Sequence, residues 1–117
     1  GSLVGIAVPV FFTAFLLKKL LSRLGCTVDV VDDGVAAVAA VRARTYDIVL
    51  MDCIMPKMDG YLAAAAIREA GLQVPIVAVT ASAIDGDRER CIVAGMDDYL
   101  TKPISGEAIA TALRRWL

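Results

Sequence analysis

The chain has no histidine at all. That removes the Ser–His and Cys–His pairs on which most nucleophilic catalysis depends, and it removes the commonest zinc ligand. Cysteine is sparse and odd in number. Cys26, Cys53 and Cys91 are widely spaced and form no CxxC pair, so neither a disulfide framework nor a metal cluster is expected, and reduced thiols in the cytoplasm fit best. There is no glycine-rich loop of the kind that cradles nucleotide phosphates. There is no excess of basic charge either. Twelve Lys and Arg stand against thirteen Asp and Glu, a net charge of -1, which argues against nucleic acid as a partner.

Charge is also missing from residues 1–17. Leu3 to Leu17 is nevertheless shorter than the ~20 residues a spanning helix needs, and Gly5 and Pro9 interrupt it. Lys18 and Lys19 follow the apolar run, whereas a secretory leader carries its positive charge first. The stretch reads as a buried strand running into a helix, with no membrane role.

What remains is one chain of 117 residues, enough for a single core, and a 58% hydrophobic content that is high for a soluble domain of this size. Strands are expected at Leu3–Val8, Thr27–Val31, Asp47–Met51, Val74–Val79 and Met96–Leu100. Helices are expected from Phe11 or Phe12 to Leu24, then over Val35–Ala43, Tyr61–Ala70, Ile84–Ala94 and Ser105–Leu117. Gly25, Gly71 and Gly95 end helices, and Asp33 and Ser105 begin them as caps. Five strands alternating with five helices predict an α/β fold, a doubly wound five-stranded parallel sheet with helices on both faces, spanning residues 1–117 as one domain.

In such a sheet the carboxyl ends of the strands gather on one edge, where ligands bind. Asp52 ends the apolar run Ile48–Met51, Thr80 follows the fourth strand, and Lys102 follows the fifth. A carboxylate can attack phosphorus and form an acyl phosphate. A hydroxyl can donate to a phosphoryl oxygen, and an ammonium can offset the added negative charge. Each residue alone is commonplace at a strand end, but the three together are not.

The motifs are Asp47-Ile-Val-Leu-Met-Asp52-Cys-Ile-Met-Pro56-Lys-Met-Asp59-Gly60-Tyr61, Pro75-Ile-Val-Ala-Val-Thr80-Ala81, Asp87-Arg-Glu-Arg-Cys91 and Ala94-Gly-Met-Asp-Asp-Tyr99-Leu-Thr-Lys102-Pro103. Across essentially the whole chain this pattern resembles the receiver domain of two-component response regulators, most of all the receivers of hybrid sensor histidine kinases. The resemblance implies a flavodoxin-like sheet of strand order 2-1-3-4-5. It implies that Asp52 is the phosphoacceptor and takes its phosphoryl group from a phosphohistidine on a histidine kinase or phosphotransfer protein. It implies that Thr80 follows the phosphoryl group, that Lys102 contacts it, and that the Lys102–Pro103 peptide is cis. Tyr99 matches the aromatic switch residue of the family. Asp52 and the Ile54 main-chain carbonyl match two ligands of the family's Mg²⁺ cofactor. The domain itself is expected to be no enzyme, although a hybrid kinase containing it would have kinase activity.

One departure bears on function. The family's first strand ends in two acidic residues that help hold Mg²⁺, and here those positions are Val8 and Pro9. Neither side chain offers the oxygen that Mg²⁺ requires, so Mg²⁺ is expected to bind weakly or not at all and phosphorylation to be impaired. Phe11, Phe12, Phe15, Ile54, Leu62 and Ile84 add apolar side chains around the same rim and read as an interface, with self-association through the first helix as one outcome. Two accounts of the rim stand side by side. One is a pseudo-receiver that binds a protein partner without phosphorylation. The other is a receiver scaffold engineered to hold an apolar ligand or an interface.

Overall fold

Ile48–Asp52 (β3) is buried along its whole length, because its side chains meet a separate apolar layer on each face of the sheet. Ile48 and Leu50 point to one layer, Val49 and Met51 to the other. The computed structural model describes residues 4–9, 19, 21–23, 25–55, 57–80, 85–101 and 105–117. Around β3 lie Val4–Pro9 (β1), Cys26–Val31 (β2), Ile76–Thr80 (β4) and Asp98–Thr101 (β5). All pair in parallel, in the order β2-β1-β3-β4-β5. The helices with described bounds are Gly34–Ala43 (α1), Gly60–Glu69 (α2), Asp85–Ala94 (α3) and Gly106–Trp116 (α4). Residues 19 and 21–23, between β1 and β2, are helical and belong to the remaining helix of the five.

One layer joins Ala7, Val49, Met51, Ile76 and Ala78 to α1, α2 and α3 through Ala37, Val41, Ala63, Ala64, Ile67 and Cys91. The other joins Ile6, Val8, Ile48, Leu50, Val77 and Val79 to Leu21, Ile109 and Leu113. A parallel sheet covered on both faces needs continuous apolar strands, which accounts for the high hydrophobic content. Part of the small-residue run from Leu62 through Ala66 in α2 belongs to this core. Ala63 and Ala64 are fully buried, and only Leu62 and Ala65 of that run face solvent.

The caps behave as their chemistry requires. Asp33 Oδ1 accepts from Ala36 N at 2.7 Å, and Ser105 Oγ accepts from Ala108 N at 3.1 Å. Gly25, Gly71 and Gly95 all take positive φ past helix ends. The starts of β2 and β3 lie one residue from expectation, and those of β4 and β5 lie two residues later than expected. Met96 N bonds to Cys91 O and closes α3, while Asp97 turns its carboxylate to Ile76 N, so β5 begins only at Asp98. Val74 and Pro75 precede β4, although Pro75 O still accepts from Val49 N at 2.8 Å.

Arg68 ties the amino edge of the sheet together. It donates to Gly95 O and Leu72 O, each at 2.9 Å, and pairs with Asp97 at 2.8 Å. Asp97 Oδ2 also accepts from Ile76 N at 2.8 Å. Arg68→Ala removes three bonds from one partly buried cation and leaves two carbonyls and a carboxylate short of donors. It should lower the unfolding free energy by about 2–3 kcal/mol, read by urea denaturation. A loss within the range of an exposed ion pair would show that water replaces the guanidinium without cost.

Candidate functional site

The carboxyl edge is built around the end of β3. Asp52 is 2% exposed and is the last residue of the strand. Its Oδ1 accepts from Ile54 N at 3.1 Å, which curls the chain out of the sheet. Met55 is buried and Met58 packs against the same layer, so the loop is pinned from below. Gly60 N donates to Cys53 O at 3.0 Å and brings the loop back to its start. Asp59 caps α2 by accepting from Leu62 N at 2.9 Å. Nothing in the sequence reading singled out Asp59 as a cap, yet its place just before Gly60 and the helical run was the available signal.

Lys57 is the strained member of this loop, with φ of 66°. Its Nζ lies 3.6 Å from Asp33 Oδ2, but the lysine side chain is 71% exposed, so that contact returns little. Asparagine tolerates the left-handed region better than lysine does. Lys57→Asn should therefore stabilise the fold by about 0.5 kcal/mol, measured as a rise in denaturation midpoint with unchanged slope. A fall in midpoint would show that the Asp33 contact outweighs the strain.

Thr80 closes β4 beside β3 and is 7% exposed. The register pairs Asp52 with Val79, so Thr80 stands one step beyond the carboxylate on the adjacent strand. Tyr99 pairs with Ala78 on β5, is half-buried, and packs against the layer that holds Cys91 and Met96. It borders a groove of about 380 Å³ between β5 and α4. Lys102 and Pro103 lie outside the described residues, as do Phe11, Phe12, Phe15 and Ile84. The two rim residues that are described, Ile54 and Leu62, are 77% and 60% exposed.

At the end of β1 the arrangement is apolar. Val8 is fully buried in the layer with Ile6, Leu50 and Val79, and Pro9 is buried opposite Val31. Proline has no N–H to donate, and the pairing recorded between β1 and β3 covers only Ile6 and Ala7. Asp33 is occupied by its cap and by Lys57. Among the described residues no three His, Cys, Asp or Glu side chains are grouped to hold a metal ion. The end of β1 therefore offers Mg²⁺ no side-chain oxygen, the ligand type this cation prefers.

Cys53, next to Asp52, is 2% exposed, and burial pushes its thiol up to about 12, with the Tyr61 hydroxyl opposing the shift. Such a thiol is no activated nucleophile. Burial, together with Cys53, likewise pushes the Tyr61 phenol well up, and the Arg90 guanidinium sits 4.1 Å over the Tyr61 ring.

A family model described as the response regulator receiver domain matches residues 12–114. The chain belongs to the response regulator receiver family. This receiver is 42% identical over 106 residues to the sensor histidine kinase GacS of Pseudomonas protegens, covering 86% of this chain and 12% of that protein. It is 41% identical over 98 residues to the sensor histidine kinase RcsC of Salmonella typhi, covering 84% of this chain and 10% of that one. It thus spans about an eighth or less of the length of these relatives. Among solved structures it resembles the receiver domain of the sensor histidine kinase PA1611 from Pseudomonas aeruginosa PAO1, at 40% identity and a TM-score of 0.90, with 98% of each chain covered. That structure holds a magnesium ion in its active-site cleft. Among the described residues of this receiver, no helix is long and apolar enough to cross a membrane.

Proposed function

We propose that this receiver is a single signalling module over residues 1–117 that accepts a phosphoryl group on Asp52 in a cytoplasmic phosphorelay, with its capacity reduced by Val8 and Pro9. The observation that carries the reading is the buried Asp52 at the end of the central strand, with Thr80 at the end of the strand beside it. The donor is a phosphohistidine on a histidine kinase or phosphotransfer protein, the setting in which the relatives' receivers stand. The Asp52 carboxylate forms a bond to phosphorus as the bond from phosphorus to imidazole nitrogen breaks, leaving an acyl phosphate. Thr80 donates its hydroxyl to a phosphoryl oxygen, Lys102 offsets the new charge, and Tyr99 changes its packing in response.

Without acidic partners at Val8 and Pro9 the charge on the transferring group is poorly neutralised, so transfer is slow. A second reading rests on the same two residues together with the exposure of Ile54 and Leu62. In it the face binds a protein partner or a second copy through apolar contact, and phosphorylation is dispensable.

Incubation with acetyl phosphate and Mg²⁺, followed by intact mass spectrometry, separates the two. The phosphoreceiver reading expects a slow gain of one phosphoryl mass that Asp52→Asn abolishes. No adduct on the parent chain, or the same adduct on Asp52→Asn, would leave only the binding module.

A further inference from the structure

Two of the three cysteines meet. Cys53 is the first residue beyond β3, and Cys91 lies on the buried side of α3. They are 2% and 3% exposed and share one apolar layer with Met51, Met55 and Ala63. Their thiols are within side-chain hydrogen-bonding reach of each other, and the Tyr61 hydroxyl bonds to Cys53 from α2. Arg90, the neighbour of Cys91, covers the Tyr61 ring. Cys26 stands apart on the edge strand β2, against the opposite layer. All three thiols are free.

We propose that Cys53 and Cys91 form an oxidisable dithiol whose closure to a disulfide fastens the loop after Asp52 to helix α3. The oxidant is a peroxide. One thiolate attacks the O–O bond, giving a sulfenic acid and, with one proton, a first water. The second thiol's sulfur then attacks the sulfenic sulfur, the S–S bond forms, and the hydroxyl leaves with a proton as a second water. Two thiols and one hydrogen peroxide thus give one disulfide and two waters, with the sulfurs giving up two electrons and the peroxide taking them.

Both sulfurs are shielded from solvent, so the pair reacts when α3 opens locally, and it reacts slowly compared with an exposed sensor thiol. The link does not exist in the reduced fold. Once made, it joins β3's exit to the helix that follows Thr80. Its effect on phosphoryl acceptance rests on the reading of Asp52 given above, whereas its formation does not.

The experiment treats the folded protein with hydrogen peroxide, blocks the remaining thiols with N-ethylmaleimide, and maps peptides without reduction by mass spectrometry. The expected product is a Cys53–Cys91 linked peptide that dithiothreitol reverses, that persists in Cys26→Ser, and that is absent in Cys91→Ala. The denaturation midpoint should rise on oxidation and fall back on reduction. The proposal is overturned if both cysteines are recovered alkylated or as sulfinic acids once Cys26 has been consumed, or if the disulfides formed all include Cys26. Repeating the reaction in urea below the unfolding transition, where local opening is more frequent, covers slow access, and absence of the link there also overturns it. Asp52→Asn should still form the link, because neither sulfur belongs to that residue, although loss of the charge beside Cys53 changes how fast the thiol reacts. A receiver that fails to phosphorylate but forms the disulfide sinks the phosphoacceptor reading alone.

Discussion

Gly60→Ala should cost about 3–5 kcal/mol, a large share of the roughly 5–15 kcal/mol that holds a domain of this size together. A Cβ built at Gly60 falls on the Asp52 carbonyl oxygen and comes within 2.9 Å of Cys53 Cα. Those are backbone atoms of the central strand's exit, so no side chain can swing aside. Relief requires α2 to move off the sheet, and that opens the contacts of Ala63, Ala64 and Ile67, all fully buried. Gly25→Ala is the matched control. Its φ is +83°, but a Cβ there meets nothing within 4 Å, so only left-handed strain applies, about 1–2 kcal/mol. Urea denaturation of the two variants gives the comparison. Equal losses at both positions would show that the loop after Asp52 yields easily, and the close approach of strand and helix would lose its weight as an explanation. In Gly60→Ala the displaced atoms belong to Asp52 itself, so any phosphoryl acceptance by that residue should fall along with stability.

Close approaches of this kind explain which parts of the molecule were legible in the chain. The apolar run Ile48–Met51 announces a strand buried on both faces, because nothing else tolerates so continuous a hydrophobic stretch before an acid. Asp33 and Ser105 announce caps, because a short polar side chain before a helical run has few better uses. The parallel sheet follows from the alternation of strands and helices, whereas the order 2-1-3-4-5 was legible only through the resemblance to receivers. The exact starts of β4 and β5 were not legible. Asp97 is drawn to Ile76 N and Arg68, partners twenty or more positions away, and no local pattern signals such a bond. The contact of Cys53 with Cys91 was equally hidden, since it depends on how α3 settles on the sheet. Alanine in α2 was ambiguous in a different way. A small residue reads as a trimmed surface or as a close-packed core, and burial assigns Ala63 and Ala64 to the core.

Replacing Val8 and Pro9 together by aspartate should make Mg²⁺ binding much stronger than in the parent chain. Val8 has no exposed surface and is packed among Ile6, Leu50 and Val79, so an aspartate there begins as a buried charge. The buried carboxylate of Asp52 ends the strand beside it, which adds like-charge repulsion. In a chelator, Val8→Asp/Pro9→Asp should therefore be less stable than the parent by several kcal/mol, on the order of the penalty for an uncompensated buried charge. A divalent cation reverses the sign of the local field and brings oxygen ligands to a centre that needs them. Binding to the folded state alone adds stability as ligand exceeds the dissociation constant, about 2.7 kcal/mol at a hundredfold excess. Denaturation midpoints of parent and variant, with Mg²⁺ and with chelator, give four values to compare. The parent pair should coincide and the variant pair should separate, with calorimetric titration reporting heat only for the variant. A parent chain that gains stability from Mg²⁺ and loses that gain in Asp52→Asn would show that Asp52 recruits the metal without acidic partners on β1. The apolar end of that strand would then be no obstacle to phosphorylation.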